Sequence, residues 1–435
     1  MAYRTFDDAQ LSRRSLLRGG AMLGAGAALA GLPFGRELLA HDPAGWPNVN
    51  ALIEKYGDPR KLANIMAVLG WGQNAPTAIA KGNLAIGQDA PVDLDSLYRI
   101  YSMTKPITGM ATMMLIDEGR LGLDMPLAEV LPRFADMQVQ KTYDGSITEL
   151  EPAQKPITIR HLLTHTAGLG YTIVQKGPIK KAYEDAGVVP GQVTKIPFLR
   201  DLFGRSASVG SLEEFADNLS ELPLVLQPGA RFSYSVGIDL LGRVIEVAGG
   251  MPFDQFLAER IFEPSGMDST WFRVPQSEVG RLTTNYGVRE GILMPLDPAR
   301  ASVYLDEPEI PAGGAGLVSS PRDYDRFLRM LLGYGMIDGT RVMSEEAVRL
   351  GTSNLLPEGV QTKGTWIEGQ QFGAAGRVID GSYGWGGAAG TVAFVNFDAG
   401  LRAGLFTQYM PSDAYPIHSA FPEAVAKDLA AMQGA

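Results

Sequence analysis

Apolar and polar residues alternate in patterns that predict regular elements near the N-terminus. Residues 47–56 repeat apolar side chains at helical spacing and predict a short helix. The apolar segments 63–69 and 77–82 flank a turn rich in Gly, Asn and Pro. They therefore predict the two strands of a hairpin.

Strand-like segments return near the C-terminus, at residues 382–390, 391–397 and 401–408. The last two flank Asp398-Ala399-Gly400, which predicts a hairpin turn, and a closing helix is predicted over 422–432. Strands at both ends with helices between them predict an α/β (α+β) fold. We expect one antiparallel sheet of about five or more strands, flanked by helices, that contains both ends of the chain.

Helical periodicity predominates between the two groups of strands. The predicted helix over 107–118 is apolar almost throughout, so we expect it to be buried on most sides. Residues 171–210 mix Gly, Pro and Lys without periodicity and predict a long, lid-like connection. Residues 270–310 predict irregular sheet and loop. Further helices are predicted at residues 159–164, 212–222, 237–248, 252–261 and 322–332.

These elements predict an α/β domain interrupted by an inserted lobe. The α/β domain comprises residues 41–125 and 300–435. The mostly helical lobe comprises residues 126–299, with the lid-like insertion at 171–210.

Residues 1–40 resemble a twin-arginine export signal. Arg13 and Arg14 precede an apolar segment rich in Gly and Ala, and Leu38-Leu39-Ala40 offers a loosely specified cleavage point after Ala40. The apolar segment is too short for a comfortable membrane span. We expect a periplasmic or secreted protein with no stable membrane insertion after signal removal. An uncleaved anchor or a tail is the alternative interpretation.

Composition and charge narrow the function classes. The 435 residues carry a net charge of −10 and no basic run, which argues against a nucleic-acid partner. The chain has no cysteine and only four histidines, so it offers no thiolate site and little basis for a metal centre. No G-x-S-x-G nucleophile elbow is present. We expect neither a metal nor a cofactor.

The segment Ser102-Met103-Thr104-Lys105 stands at the start of the apolar helix. A serine and a lysine three positions apart lie on one face of a helix, so the amine can lie beside the hydroxyl. The helix N-terminus adds backbone N–H groups and a partial positive charge. This is the minimum arrangement for a nucleophilic serine that does not use histidine. The alternative is a helix-capping serine with a solvated lysine.

Three motifs, in order, resemble the serine β-lactamase and penicillin-binding-protein superfamily. Ser102 and Lys105 match its Ser-x-x-Lys motif. Tyr234-Ser235-Val236 stands in the place of Tyr-x-Asn, and Trp385-Gly386-Gly387 in the place of Lys-Thr-Gly. The segment 161–169 is also similar to one in the class C-like branch. The last two motifs resemble those of family VIII carboxylesterases, and lovastatin-type acyltransferases are a related group.

The resemblance implies a β-lactamase/DD-peptidase-like fold and a role for each motif. Ser102 is the implied nucleophile, and Lys105 and Tyr234 share the base role. The implied oxyanion hole consists of the backbone N–H groups of Ser102 and Ala388. Trp385, Gly386, Gly387 and Val236 are the implied substrate pocket, and the glycines are expected to leave room for substrate against the strand.

Two departures from the superfamily pattern point to the substrate. Trp385 carries no charge and cannot bind the carboxylate that a lysine would bind, and Val236 cannot hydrogen-bond a substrate amide as asparagine would. We therefore expect a small-molecule ester substrate, with a preference for neutral, apolar esters.

The remaining histidines and several aromatic residues have weaker interpretations. His165, beside Thr166, is interpreted as a structural fastener of its loop, and His161 and His418 are also interpreted as structural. Candidate lid aromatics are Tyr171, Phe203 and Trp366.

Three functional hypotheses follow. The first is an exported serine carboxylesterase acting on short-chain or small aryl esters through an acyl-enzyme on Ser102. The second is a β-lactamase or D-Ala-D-Ala peptidase-type amide hydrolase, and an acyltransferase with an alcohol acceptor is a related possibility. The third, a non-catalytic binding protein, is disfavoured because Ser102, Lys105 and Tyr234 are all present.

Overall fold

In a computed structural model that describes residues 43–191, 193–197 and 209–434, a seven-stranded antiparallel sheet contains both ends of the chain. Its order is β11-β12-β13-β14-β15-β1-β2, so the N-terminal hairpin pairs with the C-terminal strands through β1 and β15. The strands in chain order are β1 (Asn64–Trp71), β2 (Thr77–Gly82), β3 (Tyr98–Arg99), β4 (Gln138–Gln140), β5 (Leu150–Pro152), β6 (Asn285–Arg289), β7 (Ile292–Asp297), β8 (Val318–Ser319), β9 (Met336–Ile337), β10 (Thr340–Arg341), β11 (Gln371–Phe372), β12 (Arg377–Ile379), β13 (Ser382–Gly386), β14 (Val392–Asn396), β15 (Leu401–Thr407) and β16 (Tyr409–Met410).

Helices cover both faces of this sheet. α1 and α11 pack against each other on one face, and α9 packs on β14 and β15 from the other. Within the described ranges, no helix is long and apolar enough to cross a membrane. The α-helices in chain order are α1 (Pro47–Tyr56), α2 (Thr104–Asp117), α3 (Ile159–Leu163), α4 (Gly177–Asp185), α5 (Leu212–Ser220), α6 (Gly237–Gly249), α7 (Phe253–Leu257), α8 (Glu263–Ser265), α9 (Pro321–Leu332), α10 (Glu345–Gly351) and α11 (Ile417–Gly434).

β1, which lies between β15 and the edge strand β2, is buried on both faces, which explains its nearly continuous apolar sequence. Ile65, Ala67 and Leu69 join the cluster beneath α1 and α11. Met66 and Val68 point the other way into the main core, which continues into the helical part of the chain. A strand with period-two alternation therefore separates two hydrophobic cores.

A carboxylate from the last helix caps the first helix. Asp428 in α11 is buried and accepts hydrogen bonds from the backbone N–H groups of Asn48 and Val49, at 2.9 and 3.0 Å, and from the Asn48 side chain. These N–H groups belong to the first turn of α1, which has no side-chain cap of its own. Asp428 therefore joins the two ends of the chain through the helix terminus.

The structure confirms the predicted architecture and corrects several elements. The N-terminal hairpin, the hairpin of β14 and β15, and the single sheet containing both ends are present. The strand predicted over 382–390 ends at Gly386, where a turn leads into β14. The helix predicted from Pro252 includes a π-helical turn at Ala258–Phe262, and the closing helix begins at Ile417, so that Pro422 lies inside it.

The prediction of an irregular connection over 171–210 is wrong for part of that range, because α4 forms there. Only Ile179 and Tyr183, four positions apart, are buried in α4, so the apolar pattern was too short to indicate a helix. Residues 192 and 198–208 lie outside the described residues, as do residues 1–40. The export signal and the division into domain and lobe stay predictions.

We expect Asp428→Ala to destabilise the protein by about 1–3 kcal/mol, because the first turn of α1 loses its acceptor while remaining partly buried. Urea unfolding monitored by circular dichroism measures this change. Lys427→Ala, at the exposed neighbouring position of α11, is the control and should change the unfolding free energy by less than about 0.5 kcal/mol. Equal effects of the two substitutions would contradict the capping role.

Candidate active site

Ser102 lies in a tight turn between a short strand and the most buried helix. β3 pairs with β8, and a 3₁₀ turn at Tyr101–Met103 then leads directly into α2. Tyr101 has a φ of 42°, in the left-handed region that side chains other than glycine seldom adopt. Strain of this kind persists only where the surroundings enforce it, and it turns the chain sharply immediately before Ser102.

A buried ion pair fixes the strand that precedes this turn. The Arg99 guanidinium donates from Nε to Asp297 Oδ2 at 2.6 Å, and both side chains are fully buried. Its other nitrogens donate to the Thr283 carbonyl at 2.6 Å and to Ser302 Oγ at 3.0 Å. The pair is surrounded by hydrogen-bond partners. It therefore holds the turn Tyr101–Met103, called the nucleophile turn below, against the β6–β7 sheet.

Lys105 places its ammonium beside Ser102, as the spacing predicted. Lys105 Nζ lies 3.3 Å from Ser102 Oγ, and the lysine is fully buried at the start of α2. Nζ also donates to the Gly314 carbonyl at 2.5 Å and lies 4.8 Å from the centre of the Tyr234 ring. A carbonyl dipole and an aromatic face thus compensate the buried charge.

The Gly314 carbonyl is itself held by a buried carboxylate. Asp239, in the first turn of α6, accepts the Gly314 N–H at Oδ1, at 2.7 Å. A Cβ on Gly314 would lie 2.6 Å from the same carboxylate, so only glycine permits this approach. The position of the Gly-rich run 311–316 beside Lys105 was not predicted from the sequence. An acid among apolar residues at the start of a helix, Asp239, was the signal available.

The Tyr234 side chain meets Ser102 from the opposite side. Its hydroxyl lies 2.9 Å from Ser102 Oγ, and the ring is almost fully buried. The turn that carries Tyr234 ends at Val236, which precedes α6 and is completely buried in the main core. The structure therefore brings Ser102, Lys105 and Tyr234 together, whereas Val236 packs in the core behind them.

His165 holds the backbone on both sides of Tyr234. Its carbonyl accepts the Ser233 N–H at 2.8 Å, and its Nδ1 accepts the Ser235 N–H at 3.2 Å. The ring centres of His165 and Tyr234 are 4.6 Å apart. Complete burial, together with the nearby Lys105 ammonium, holds the pKa of His165 well below its usual value. A neutral imidazole that fastens this loop agrees with its structural interpretation.

The other two histidines that the sequence singled out are also held neutral. Burial lowers the pKa of His161 to about 4, and its Nδ1 accepts the Thr158 N–H in a capping box at the start of α3. Burial likewise lowers the pKa of His418 to about 4. Neither ring contacts Ser102 through a described hydrogen bond.

The end of β13 approaches the nucleophile turn closely. A Cβ on Gly387 would clash with the Ile100 carbonyl, two residues before Ser102, and with Thr391 Oγ1. The expectation that this glycine leaves room for substrate is therefore wrong, because protein atoms fill the space. Gly387 instead lets the strand contact the turn. Among the described residues, no group accepts a hydrogen bond from the Ala388 N–H.

Aromatic rings surround Tyr234. The Trp366 and Trp385 rings are centred 4.4 and 5.9 Å from the Tyr234 ring, and the Tyr171 ring 5.7 Å from it. Phe372, which the sequence did not single out, packs edge-on against Trp385. Phe203 lies outside the described residues. The Ser102 hydroxyl, the Lys105 amine and the Tyr234 phenol therefore lie in apolar surroundings.

This arrangement can perform nucleophilic acyl transfer. The Ser102 hydroxyl lies within hydrogen-bond reach of Lys105 Nζ and the Tyr234 hydroxyl, two groups that can exchange a proton with it, which is the geometric requirement for activating it. In the part of the chain that the structure describes, no cluster of three or more His, Asp or Glu side chains could hold a metal ion.

Comparisons with known proteins agree with the fold and the motifs. An uncharacterized protein of Mycobacterium tuberculosis (strain CDC 1551 / Oshkosh) is 37% identical over 273 residues, 63% of this chain and 63% of that protein. Esterase EstB of Burkholderia gladioli is 30% identical over 384 residues, 82% of this chain and 89% of EstB. The solved structure of EstCE1, "a hydrolase with promiscuous acyltransferase activity", has a TM-score of 0.66 and 24% identity, covering 87% of this chain and 98% of EstCE1.

A family model described as Beta-lactamase matches residues 59–425, which include all three motifs. EstB covers most of the same length, and EstCE1 has the same fold. The chain therefore belongs to the beta-lactamase family, on the branch of this serine-enzyme fold that contains esterases, as its motifs indicated.

Proposed function

We propose that this protein is a serine carboxylesterase that hydrolyses short-chain or small aryl carboxylic esters through an acyl-enzyme on Ser102. The observation that carries the proposal is the position of Ser102 Oγ, 2.9 Å from the Tyr234 hydroxyl and 3.3 Å from Lys105 Nζ. A hydroxyl between a phenol and an amine can lose its proton as it attacks. The esterase EstB, with 30% identity, supports ester substrates.

The proposed reaction has two steps. Ser102 Oγ attacks the ester carbonyl while its proton passes to the Tyr234–Lys105 pair, which reacts in the form that has one proton fewer than a phenol and an ammonium together. The bond to the alcohol breaks as Tyr234 gives this proton to the leaving oxygen. Water then attacks the acyl-enzyme and gives a proton to Tyr234, which passes it to Ser102 Oγ as the acyl–oxygen bond breaks and the acid leaves. The N–H groups of Ser102 and Ala388 would stabilise the oxyanion in both steps.

The second and third motifs favour esters over β-lactams and peptides. Trp385 stands where a lysine would bind a carboxylate. Val236, which packs in the core, stands where an asparagine would bind an amide, so the amide hydrolase is the second candidate. An acyltransferase, in which an alcohol replaces water, is favoured by one observation, the acyltransferase activity named for EstCE1. We further propose that the protein acts in the periplasm or outside the cell, because residues 1–40 resemble a twin-arginine signal.

Assays of p-nitrophenyl butyrate and a chromogenic cephalosporin, side by side, test the proposal. We expect rapid ester turnover, slow or no cephalosporin turnover, and a loss of about 10³-fold or more in ester kcat for Ser102→Ala, since the nucleophile is removed. A fluorophosphonate adduct on Ser102, located by mass spectrometry, would identify the nucleophile independently. Undiminished ester turnover by Ser102→Ala, or faster cephalosporin turnover by the native chain, would contradict the proposal.

Tyr234→Phe should lower kcat/KM for the ester by about 10²-fold or more, because the ring and its packing remain but the proton-transfer group is gone. Tyr334→Phe is a matched control. Tyr334 lies in the turn after α9 and stacks on Phe397, and the same phenol oxygen is removed there away from Ser102. Steady-state kinetics of the two variants decide the question. Near-native activity of Tyr234→Phe would remove Tyr234 from the mechanism.

Asp239 should act as a positioning residue for Lys105 through Gly314. We expect Asp239→Ala to lower kcat by about 10- to 100-fold with little change in KM, because the ammonium loses its fixed acceptor. Asp239→Asn keeps an oxygen that can accept the Gly314 N–H, and it should retain most of the activity. Similar losses in both variants, with unaltered circular dichroism, would refute positioning through this hydrogen bond.

A further inference from the structure

An unpaired arginine lies at the end of the strand edge that faces Ser102. β12 covers only the first half of β13, because their pairing runs from Ile379 opposite Ser382 to Arg377 opposite Gly384. Beyond Gly384, β13 continues towards Ala388 and the nucleophile turn without β12 beside it. A substrate lying along this edge would meet the first residue of β12, which is Arg377.

The Arg377 guanidinium lies between the two tryptophans of the aromatic wall. Its Cζ is 5.0 Å from the centre of the Trp385 ring, and Nη2 donates to the Trp366 carbonyl at 3.3 Å. Both indoles in turn contact the Tyr234 ring. The cation therefore borders the aromatic rings around Tyr234, one ring away from Tyr234 itself.

The charge of Arg377 is not compensated within the described part of the chain. No carboxylate there forms an ion pair with Arg377, and its Nε is buried without a hydrogen-bond partner. Burial lowers the pKa of Arg377 to about 10, so the environment disfavours the cation that arginine nevertheless retains at neutral pH. Arg377 as a whole residue is only partly buried. Buried charges are normally paired, so an anion supplied from outside fits this site.

We propose that Arg377 is a specificity-determining residue that binds a carboxylate group carried by the ester substrate. The planar guanidinium can donate two parallel hydrogen bonds to a carboxylate, and the Trp385 indole beside it would exclude water from the pair. This inference rests on the proposed esterase function and names its substrate class. It amends the expectation of neutral esters, because a positive charge reaches Trp385 from the neighbouring strand.

The carboxylate can belong to the acyl part or to the alcohol part of the ester, and two substrates distinguish these sources. Mono-p-nitrophenyl glutarate carries it on the acyl side, and its methyl ester is the neutral counterpart. 4-Butyryloxy-3-nitrobenzoate carries it on the leaving group, and again its methyl ester is the neutral counterpart. Each pair differs only in the charge that Arg377 would bind.

Native protein and Arg377→Gln are compared on all four esters. For the substrate whose carboxylate reaches Arg377, we expect the native protein to prefer the acid over its methyl ester. Arg377→Gln should lower kcat/KM for that acid by about 10- to 100-fold, mainly through KM, and leave the methyl ester within about 3-fold. Arg377→Lys keeps the positive charge but not the planar guanidinium, so its kcat/KM for the acid should fall less than that of Arg377→Gln.

Arg231→Gln is the matched control. Arg231 is exposed and, like Arg377, donates to a backbone carbonyl of the segment before β11, that of Lys363. It does not contact Trp385 through any described interaction. Removing its charge should leave the preference for the acid unchanged.

The outcomes separate failure of this inference from failure of the proposed function. The native protein could hydrolyse the neutral esters while Arg377→Gln lowers kcat/KM equally for the acid and its methyl ester. Arg377 would then only hold the Trp366 segment in place, and the inference would be overturned. An equal effect of Arg231→Gln would show that the preference for the acid comes from the overall charge of the surface, and this too would overturn the inference. No turnover of any ester by the native protein would instead overturn the esterase itself.

Discussion

The buried ammonium of Lys105 is the constraint on which the site depends. A fully buried charge is costly unless dipoles surround it, and here a carbonyl, a hydroxyl and an aromatic face do so. The neighbours of the ammonium meet this requirement. Gly314, whose carbonyl accepts from Lys105, has no side chain, and the Asp239 carboxylate accepts the Gly314 N–H. The same contacts place the amine beside Ser102, so the groups that make the charge tolerable also make it available for chemistry.

The three motifs are held by different parts of the molecule. The Arg99–Asp297 pair fixes the strand before Ser102, His165 fixes the loop of Tyr234, and Gly387 lets β13 contact the nucleophile turn. Each of these contacts limits the freedom of a group in the candidate site, which is how a site keeps its geometry before a substrate arrives.

Sequence patterns predicted the elements whose signal is local. The apolar helix after Ser102, the hairpins and the spacing of Ser102 and Lys105 follow from periodicity over a few residues. The contacts that complete the site join distant positions: Tyr234 meets Ser102 across 132 positions, and Gly314 meets Lys105 across 209. Asp239 and Arg377 could be seen as charges in apolar surroundings, but their partners could not. α4 was missed because it presents only two buried side chains to the core.

The pairing of β1 with β15 has a consequence for biogenesis. β1 precedes β15 by more than 300 positions in the sequence, so one edge of β1 has no partner until β15 has been synthesised. Until then the apolar strand β1 has unpaired backbone N–H and C=O groups along one edge, where another chain could pair and aggregate. Gly387, which contacts the turn before Ser102, also follows that turn by almost 300 positions. A chain truncated before β13 would therefore contain Ser102 without the segment that packs against its turn.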